Sequence, residues 1–191
     1  MEDRDLFRGT LVRLAARRPE DLEAFARWSE DSVYRRLVDT DPARPLSPED
    51  VAASPDAGGS GSNGVSFRLR TLDDDTLIGF VALFNIEWSH GSAMLAIGIG
   101  EPSYRGQGYG SDALRLILYY AFSELNLYRV GLDVIGYNTR AIRAYERAGF
   151  RREGAWRGAV LRDGARHDRL LMGILRDEWA ALQGGAEVPH A

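Results

Sequence analysis

The sequence predicts a single α/β domain, a mixed sheet with helices on both faces. Three observations predict it. Segments whose apolar residues alternate with a period of two are interleaved with segments whose apolar residues recur at helical spacing. A length of 191 residues suits one domain with a sizeable core. The elements run β-α-α-β-β-β-α-β-α-β-β without an internal repeat.

Leu11, Val12 and Leu14 form the first strand. Pro19 opens a helix where its missing N–H needs no partner, with Glu20 and Asp21 in the first turn, which favours negative charge. Leu22, Phe25, Ala26 and Trp28 are its apolar stripe, and a short second helix runs roughly from Asp31 to Val38. Residues 39–64 then turn rich in Pro, Gly and Ser and read as a flexible connection within the domain. Ser47-Pro48-Glu49-Asp50 is able to nucleate one helical turn there. The functional alternative for this connection is a lid over an acceptor site.

Strands follow. Val65 to Arg70 alternates, with Val65, Phe67 and Leu69 on one face and Ser66, Arg68 and Arg70 on the other. After an acidic turn, read as a solvated tip, Thr76 to Ile86 is apolar enough for a central strand. Ala93 to Ile99 is the next strand. Leu114, Ile117, Leu118, Ala121, Phe122 and Leu125 mark a long amphipathic helix, which Asn126-Leu127 breaks. Tyr128 to Ile135 is a strand, Asn138 caps the next helix, and Gly149 stops it. Phe150–Val160 and Arg166–Leu175 close the sheet as a hairpin. The domain spans residues 8–179, and residues 180–191 read as a frayed tail.

Between the fourth strand and the long helix stands Tyr104-Arg105-Gly106-Gln107-Gly108-Tyr109-Gly110-Ser111. Glycines let backbone N–H groups approach a ligand closely, and a helix N-terminus adds unpaired donors and a positive dipole end. Together they predict a phosphate-sized anion site. Composition narrows what else the chain does. It has 45% hydrophobic and 27% charged residues, the proportions of an ordinary globular protein, and no apolar run of roughly 20 residues. Its N-terminus lacks signal-peptide order. Zero cysteines exclude a cysteine nucleophile, and His90, His167 and His190 have no metal-ligand spacing, so no metal is expected. A net charge of -4 disfavours nucleic-acid binding. A cytoplasmic protein acting without nucleic acid or membrane is the expectation.

The loop gains meaning beside a second block, Asn138-Thr139-Arg140-Ala141-Ile142-Arg143-Ala144-Tyr145-Glu146-Arg147-Ala148-Gly149-Phe150. The pairing resembles the GNAT superfamily of acyl-CoA-dependent N-acyltransferases, most closely the branch of ribosomal-protein alanine and spermidine acetyltransferases. The matched core runs from about Thr76 to Leu175. The resemblance implies a mostly antiparallel central sheet and acetyl-CoA as co-substrate. It places the CoA pyrophosphate on the backbone N–H groups of Arg105, Gly106, Gln107, Gly108, Tyr109, Gly110 and Ser111. The Arg105 guanidinium is either a further phosphate contact or a solvated surface arginine. The pantetheine arm is placed along Ile97, Gly98 and Ile99, with a bulge at Gly98 exposing an N–H to the thioester carbonyl. Asn138 adds a pantetheine contact to its capping role. Tyr145 is implied to protonate or solvate the leaving thiolate, against the alternative that it is one more buried aromatic.

The base that deprotonates the acceptor is open among Glu87, His90, Glu101 and Asp133, with Glu87 favoured because it ends the long strand. Met94-Leu95-Ala96 stands where polyamine-type relatives carry an acid, which speaks against a spermidine-type acceptor. The expected activity is acetyl transfer to a primary amine by direct attack in a ternary complex. The acceptor is a protein N-terminus, a polyamine or an antibiotic-like amine. A homodimer through the closing strands and Trp156 is expected by analogy of fold. The alternative function is a non-catalytic acyl-CoA sensor or structural module. A P-loop enzyme is disfavoured because the Gly-Lys-Ser/Thr sequence is missing, and a dinucleotide fold because the glycine loop comes after four strands.

Overall fold

A computed structural model describes residues 5–53 and 63–184. Its seven-stranded sheet has the order β1-β2-β3-β4-β5-β7-β6. The strands are β1 (Val12–Ala15), β2 (Val65–Thr71), β3 (Leu77–Glu87), β4 (Ser92–Ile99), β5 (Arg129–Ile135), β6 (Arg151–Arg162) and β7 (Ala165–Leu175). Every neighbouring pair is antiparallel except β4 and β5. That exception opens the molecule. Ser92 to Met94 pair with Arg129 to Gly131, and beyond them the two strands part. The parallel connection is made by α4 (Tyr109–Tyr119), extended by a π-helical turn over Tyr120–Glu124 and ended at Asn126 in a left-handed conformation (φ 53°).

The two faces of the sheet are filled differently. One carries the apolar core, in which Leu69, Val81, Leu83 and Leu95 meet Leu114, Ile117 and Leu118 of α4. The other lies under α1 (Asp21–Ser29), followed by α2 (Ser32–Val38) and α3 (Pro48–Ala53). The register pairs Arg68 with Phe80 and Phe80 with Gly98, so all three share that face. The alternation read from the sequence in β2 holds, yet its polar face is not solvated. Arg68 and Arg70 are buried beneath α1, as is Asp21. The Asp21 carboxylate accepts from Arg70 and from the Arg18 N–H (2.8 Å), and lies 4.0 Å from Arg68 Nε. Burial pulls the Arg68 guanidinium below its ordinary pKa while Asp21 opposes the shift. A buried arginine pair without this carboxylate would be strongly unfavourable.

α5 (Thr139–Arg147) follows β5. Asn138 caps it by accepting from the Ala141 N–H at 3.2 Å, and Gly149 ends it at φ 101°. Two helices add to the element order expected from the sequence. α3 is the single turn anticipated at Pro48, held by reciprocal bonds between Ser47 and Asp50. α6 (Arg176–Leu182) was not anticipated. It runs past 179 and packs the buried Trp179 on Phe122, with ring centroids 5.2 Å apart. Most of the glycine-serine tract (54–62) and the end of the tail (185–191) lie outside the described residues. No described helix is long and apolar enough to cross a membrane.

Candidate active site

Where β4 and β5 diverge, a cleft of about 520 Å³ opens between α4, α5 and the end of α2. β3 covers one edge of β4, in unbroken register from Gly79–Ile99 to Phe84–Met94. Among the described residues the other edge has no strand partner beyond Met94, so apart from the Ile99 carbonyl, which Arg105 occupies, its outward backbone groups are left to the cleft. This is what an extended chain bearing amides would pair with. The bulge expected at Gly98 is not there; the irregularity in β3–β4 lies between Phe84 and Glu87. Gly98 is needed for a different reason. A Cβ on it would stand 2.5 Å from the Tyr34 hydroxyl and 2.8 Å from the Phe80 ring.

At the open end of β4 the glycine loop wraps the head of α4. Gly106 (φ 79°) and Gly108 (φ 93°) sit in the left-handed region, which other residues enter only with strain. Gly108 is the N-cap and has no side chain to offer, so the N–H groups of Tyr109, Gly110 and Ser111 have no intrahelical acceptor. Gly106, Gly108, Gly110 and Ser111 line the cleft with Ile97, Gly98 and Ile99, as the sequence led us to expect. Gln107 and Tyr109 do not. Gln107 turns back to the Ser103 carbonyl, and Tyr109 stacks edge-on against Tyr104 at 5.0 Å.

The loop is anchored by two residues with roles the sequence did not reveal. Arg105 reaches inward, donating to the carbonyls of Ile99 (3.0 Å) and Gly100 and to Asp31 (2.8 Å), with its guanidinium 4.7 Å from the Tyr34 ring centroid. It lines the cleft but is neither free to reach out for a phosphate nor a solvated surface group; it clamps the strand end to the start of α2. Asp112, in the first turn of α4, is buried. Its Oδ2 accepts from the N–H groups of Thr10 (2.9 Å), Leu11 (2.7 Å) and Val12 (3.0 Å), fixing α4 to the start of β1. Burial alone would raise its pKa, but the hydrogen bonds from Leu11, Val12 and Thr10 outweigh it and hold the carboxyl below the usual range.

Tyr145 projects from α5 into the cleft, its ring edge-on to Phe150 at 5.9 Å. Among the described residues its hydroxyl has no hydrogen-bond partner. Burial, with a smaller contribution from the charge of Asp133, pushes its pKa up to about 12. Asn138 also lines the cleft, but both ends of its side chain are engaged, the oxygen by Ala141 and the nitrogen by the Leu37 carbonyl at 3.3 Å.

The four candidate bases separate. Glu87 is exposed and outside the cleft, accepting from Ser92 Oγ at 2.8 Å. Because β3 and β4 are antiparallel, the end of β3 faces the start of β4, about 23 Å of strand from Ile99. His90 lies in the same distant turn, where its N–H donates to the Glu87 carbonyl. Glu101 is engaged by Arg27 and Trp28. Only Asp133 lines the cleft, oriented by Arg169 Nε at 2.8 Å.

Residues 12–151 match the family model described as an acetyltransferase (GNAT) domain. The chain belongs to the GNAT acetyltransferase family. It is 29% identical over 161 residues to the uncharacterized N-acetyltransferase YnaD of Bacillus subtilis, an alignment covering 84% of this chain and 91% of that one. It is 34% identical over 103 residues to the spermidine N(1)-acetyltransferase of Vibrio cholerae, covering 54% and 59%. The solved V. cholerae spermidine N-acetyltransferase in complex with CoA and spermine superposes with a TM-score of 0.79 at 24% identity, over 88% of this chain and 97% of that one. The GNAT chain is an acetyl-CoA-dependent N-acetyltransferase acting on an amine. Nothing in these likenesses favours a non-catalytic sensor. The unpaired edge of β4, the open amides of the loop and the volume of the cleft fit the amide-bearing arm and the pyrophosphate of CoA.

Proposed function

We propose that the enzyme acetylates a small primary amine by direct attack in a ternary complex, with Tyr145 serving the leaving group and Asp133 the nucleophile. The observation that carries this is Tyr145, a nearly buried side chain whose hydroxyl has no partner among the described residues and which lines the same cleft as Asp133. Acetyl-CoA supplies the acyl group as a thioester and leaves as a thiolate. A thiol titrates near 8.5, well below the value of about 12 for Tyr145. The phenol therefore stays protonated wherever an amine reacts and acts mainly as a hydrogen-bond donor to the sulfur, since full proton transfer from it runs uphill. Asp133, on β5 beside it, takes the proton that the attacking ammonium must lose, directly or through water. The loop amides of residues 105–111 hold the pyrophosphate, and the backbone of Ile97 to Ile99 holds the pantetheine.

For the acceptor, the acids in the cleft matter. Asp39 is paired with Arg35 at 3.2 Å, and Asp133 is already assigned to the reacting amine, so neither is left for a second ammonium. The cleft is also lined by Leu37, Val38, Phe80 and Phe84. This favours an amine with one positive charge and an apolar neighbour over a polyamine, even though spermidine enzymes are among the relatives. A homodimer through β6, the edge strand bearing exposed Trp156 and Leu161, belongs to the same proposal.

Thiol release from acetyl-CoA over a panel of amines and peptides tests the reading. Tyr145→Phe is expected to lower kcat about a hundredfold with CoA affinity nearly unchanged. Asp133→Asn should lose a similar factor near neutral pH and recover as pH approaches the pKa of the acceptor amine. Full activity of Tyr145→Phe at every pH would remove it from the mechanism.

A further inference from the structure

A second tyrosine faces the cleft and has no part in the chemistry assigned to Tyr145 and Asp133. Tyr34, on α2, is buried and lines the cleft, and among the described residues its hydroxyl has no hydrogen-bond partner. Gly98 marks where that hydroxyl sits. A Cβ there would stand 2.5 Å from the hydroxyl oxygen, so the oxygen lies directly against that residue of β4. Two contacts hold the side chain in place. The Asp31 carboxylate accepts from the Tyr34 N–H at 3.0 Å. The Arg105 guanidinium, bonded to the same carboxylate and to the Ile99 carbonyl, lies 4.7 Å from the ring centroid. Burial pushes the Tyr34 pKa up, against the lowering effect of Arg105, so the hydroxyl keeps its proton wherever an amine reacts.

At Gly98 a donor is missing. The family resemblance gives this residue an N–H for the thioester carbonyl, but no bulge turns it outward. The Gly100 N–H donates to the Ile78 carbonyl at 2.9 Å, and in unbroken antiparallel register the Gly98 N–H points the same way, into the β3 ladder. We infer that the Tyr34 hydroxyl donates its hydrogen bond to the thioester carbonyl oxygen of acetyl-CoA and stabilises the oxyanion formed on it. This rests on the proposed placement of acetyl-CoA, with its arm along Ile97 to Ile99. As the amine lone pair forms the C–N bond, the carbonyl π pair moves onto oxygen, where Tyr34 meets it. When that pair returns, the C–S bond breaks and its electrons leave on sulfur, beside Tyr145. Of the two protons the ammonium gives up, one passes through Asp133 to water and the other ends on the thiol. The two hydroxyls thus divide the reaction, one serving oxygen during addition and the other sulfur during collapse.

Tyr34→Phe tests this, because it removes one oxygen and keeps the ring that Arg105 covers. No hydrogen bond is lost from the resting protein, so the melting temperature should not change. The kcat should fall about a hundredfold or more, the loss typical of one oxyanion donor. S-Ethyl-CoA, which has no carbonyl, should bind wild type and variant equally in calorimetric titration. The readout that separates a donor from a structural residue is the infrared band of bound acetyl-CoA, isotope-labelled at the acetyl carbonyl. The band should lie at lower frequency on the wild type than in water, keep that shift in Tyr145→Phe and lose it in Tyr34→Phe. A shift surviving in Tyr34→Phe, even in a slow variant, or a kcat within about twofold of wild type, would overturn the inference while leaving the cleft assignment standing. A wild type that binds neither acetyl-CoA nor S-ethyl-CoA would remove both.

Discussion

Two clusters of backbone N–H groups lie at the head of α4, and the chain fills one of them itself. At Thr10 to Val12 three amides converge on the Asp112 carboxylate. At Gly110 and Ser111, in the same helical turn, the amides have no intrahelical acceptor and their residues line the cleft. Backbone donors of the same chemistry serve opposite ends. The filled cluster is a fold element because its anion is covalently part of the chain. The open one has no anion of the chain's own, and the proposed function gives it the phosphates of CoA. The head of α4 stays open by what the sequence withholds: Gly108 at the cap offers no side-chain oxygen where serine or aspartate would cap the helix.

The comparison can be broken from the filled side first, where the largest effect lies. Asp112→Ala leaves three backbone amides without their acceptor, that of Val12 buried and those of Thr10 and Leu11 partly so, and should cost about 1–3 kcal/mol in urea unfolding. Unchanged stability with lost CoA binding would mean that the two clusters are one site. The carboxyl also predicts an acid limb. Its folded pKa lies below its unfolded value. The stabilisation it gives is therefore fully present above an ordinary aspartate pKa and is lost as pH falls through the depressed one. Asp112→Asn should flatten that limb of the stability–pH curve.

A smaller effect is expected from Gly108→Val. Its left-handed φ makes the substitution strained by about 1–2 kcal/mol, so melting temperature should fall modestly while CoA affinity falls tenfold or more. The finest separation comes from Gly110→Ala. A Cβ there meets only Ile99 Cγ1, at 3.7 Å, and the backbone is unstrained. Stability should stay within about 0.5 kcal/mol of wild type, yet the added methyl stands at the cleft and should weaken CoA measurably. If Gly110→Ala bound CoA normally, the open cluster would be narrower than the loop.

The elements around the glycine loop were largely legible, because local rules write them. A strand pattern, positive-φ glycines and a helix stripe define β4, the loop and α4, and Asn138, Tyr145 and Gly149 fall at fixed places on one helix. What was not legible depends on partners far along the chain. Arg105 turns inward because Asp31 waits 74 residues earlier. Arg68 and Arg70 are buried because α1 brings Asp21 over them, a pairing that alternation in β2 cannot encode. Glu87 seemed near the chemistry because it ends the longest apolar strand, whereas antiparallel pairing with β4 sends that end away from the loop. Asp133 gave only a weak signal, an acid in an otherwise apolar strand, and acquires meaning from Tyr145 and Arg169.

The sheet order carries a consequence for how the molecule comes into being. β7 lies between β5 and β6, so β6 leaves the ribosome before the strand that attaches it exists. Until β7 inserts, the outer edge of β5 has no neighbour. The segment after α2 waits as well: Arg162, at the turn between these strands, donates to the carbonyls of Asp39 (3.4 Å), Thr40 (2.8 Å) and Asp41 (3.0 Å), closing a loop of more than a hundred residues. Contacts of such sequence separation form slowly. A nascent chain that has just completed α5 already contains every residue of the proposed cofactor cradle but has no means of fixing the segment after α2. Cofactor present during synthesis would therefore meet its cradle while the sheet is still unfinished, and could act as an early template for the part of the fold already made.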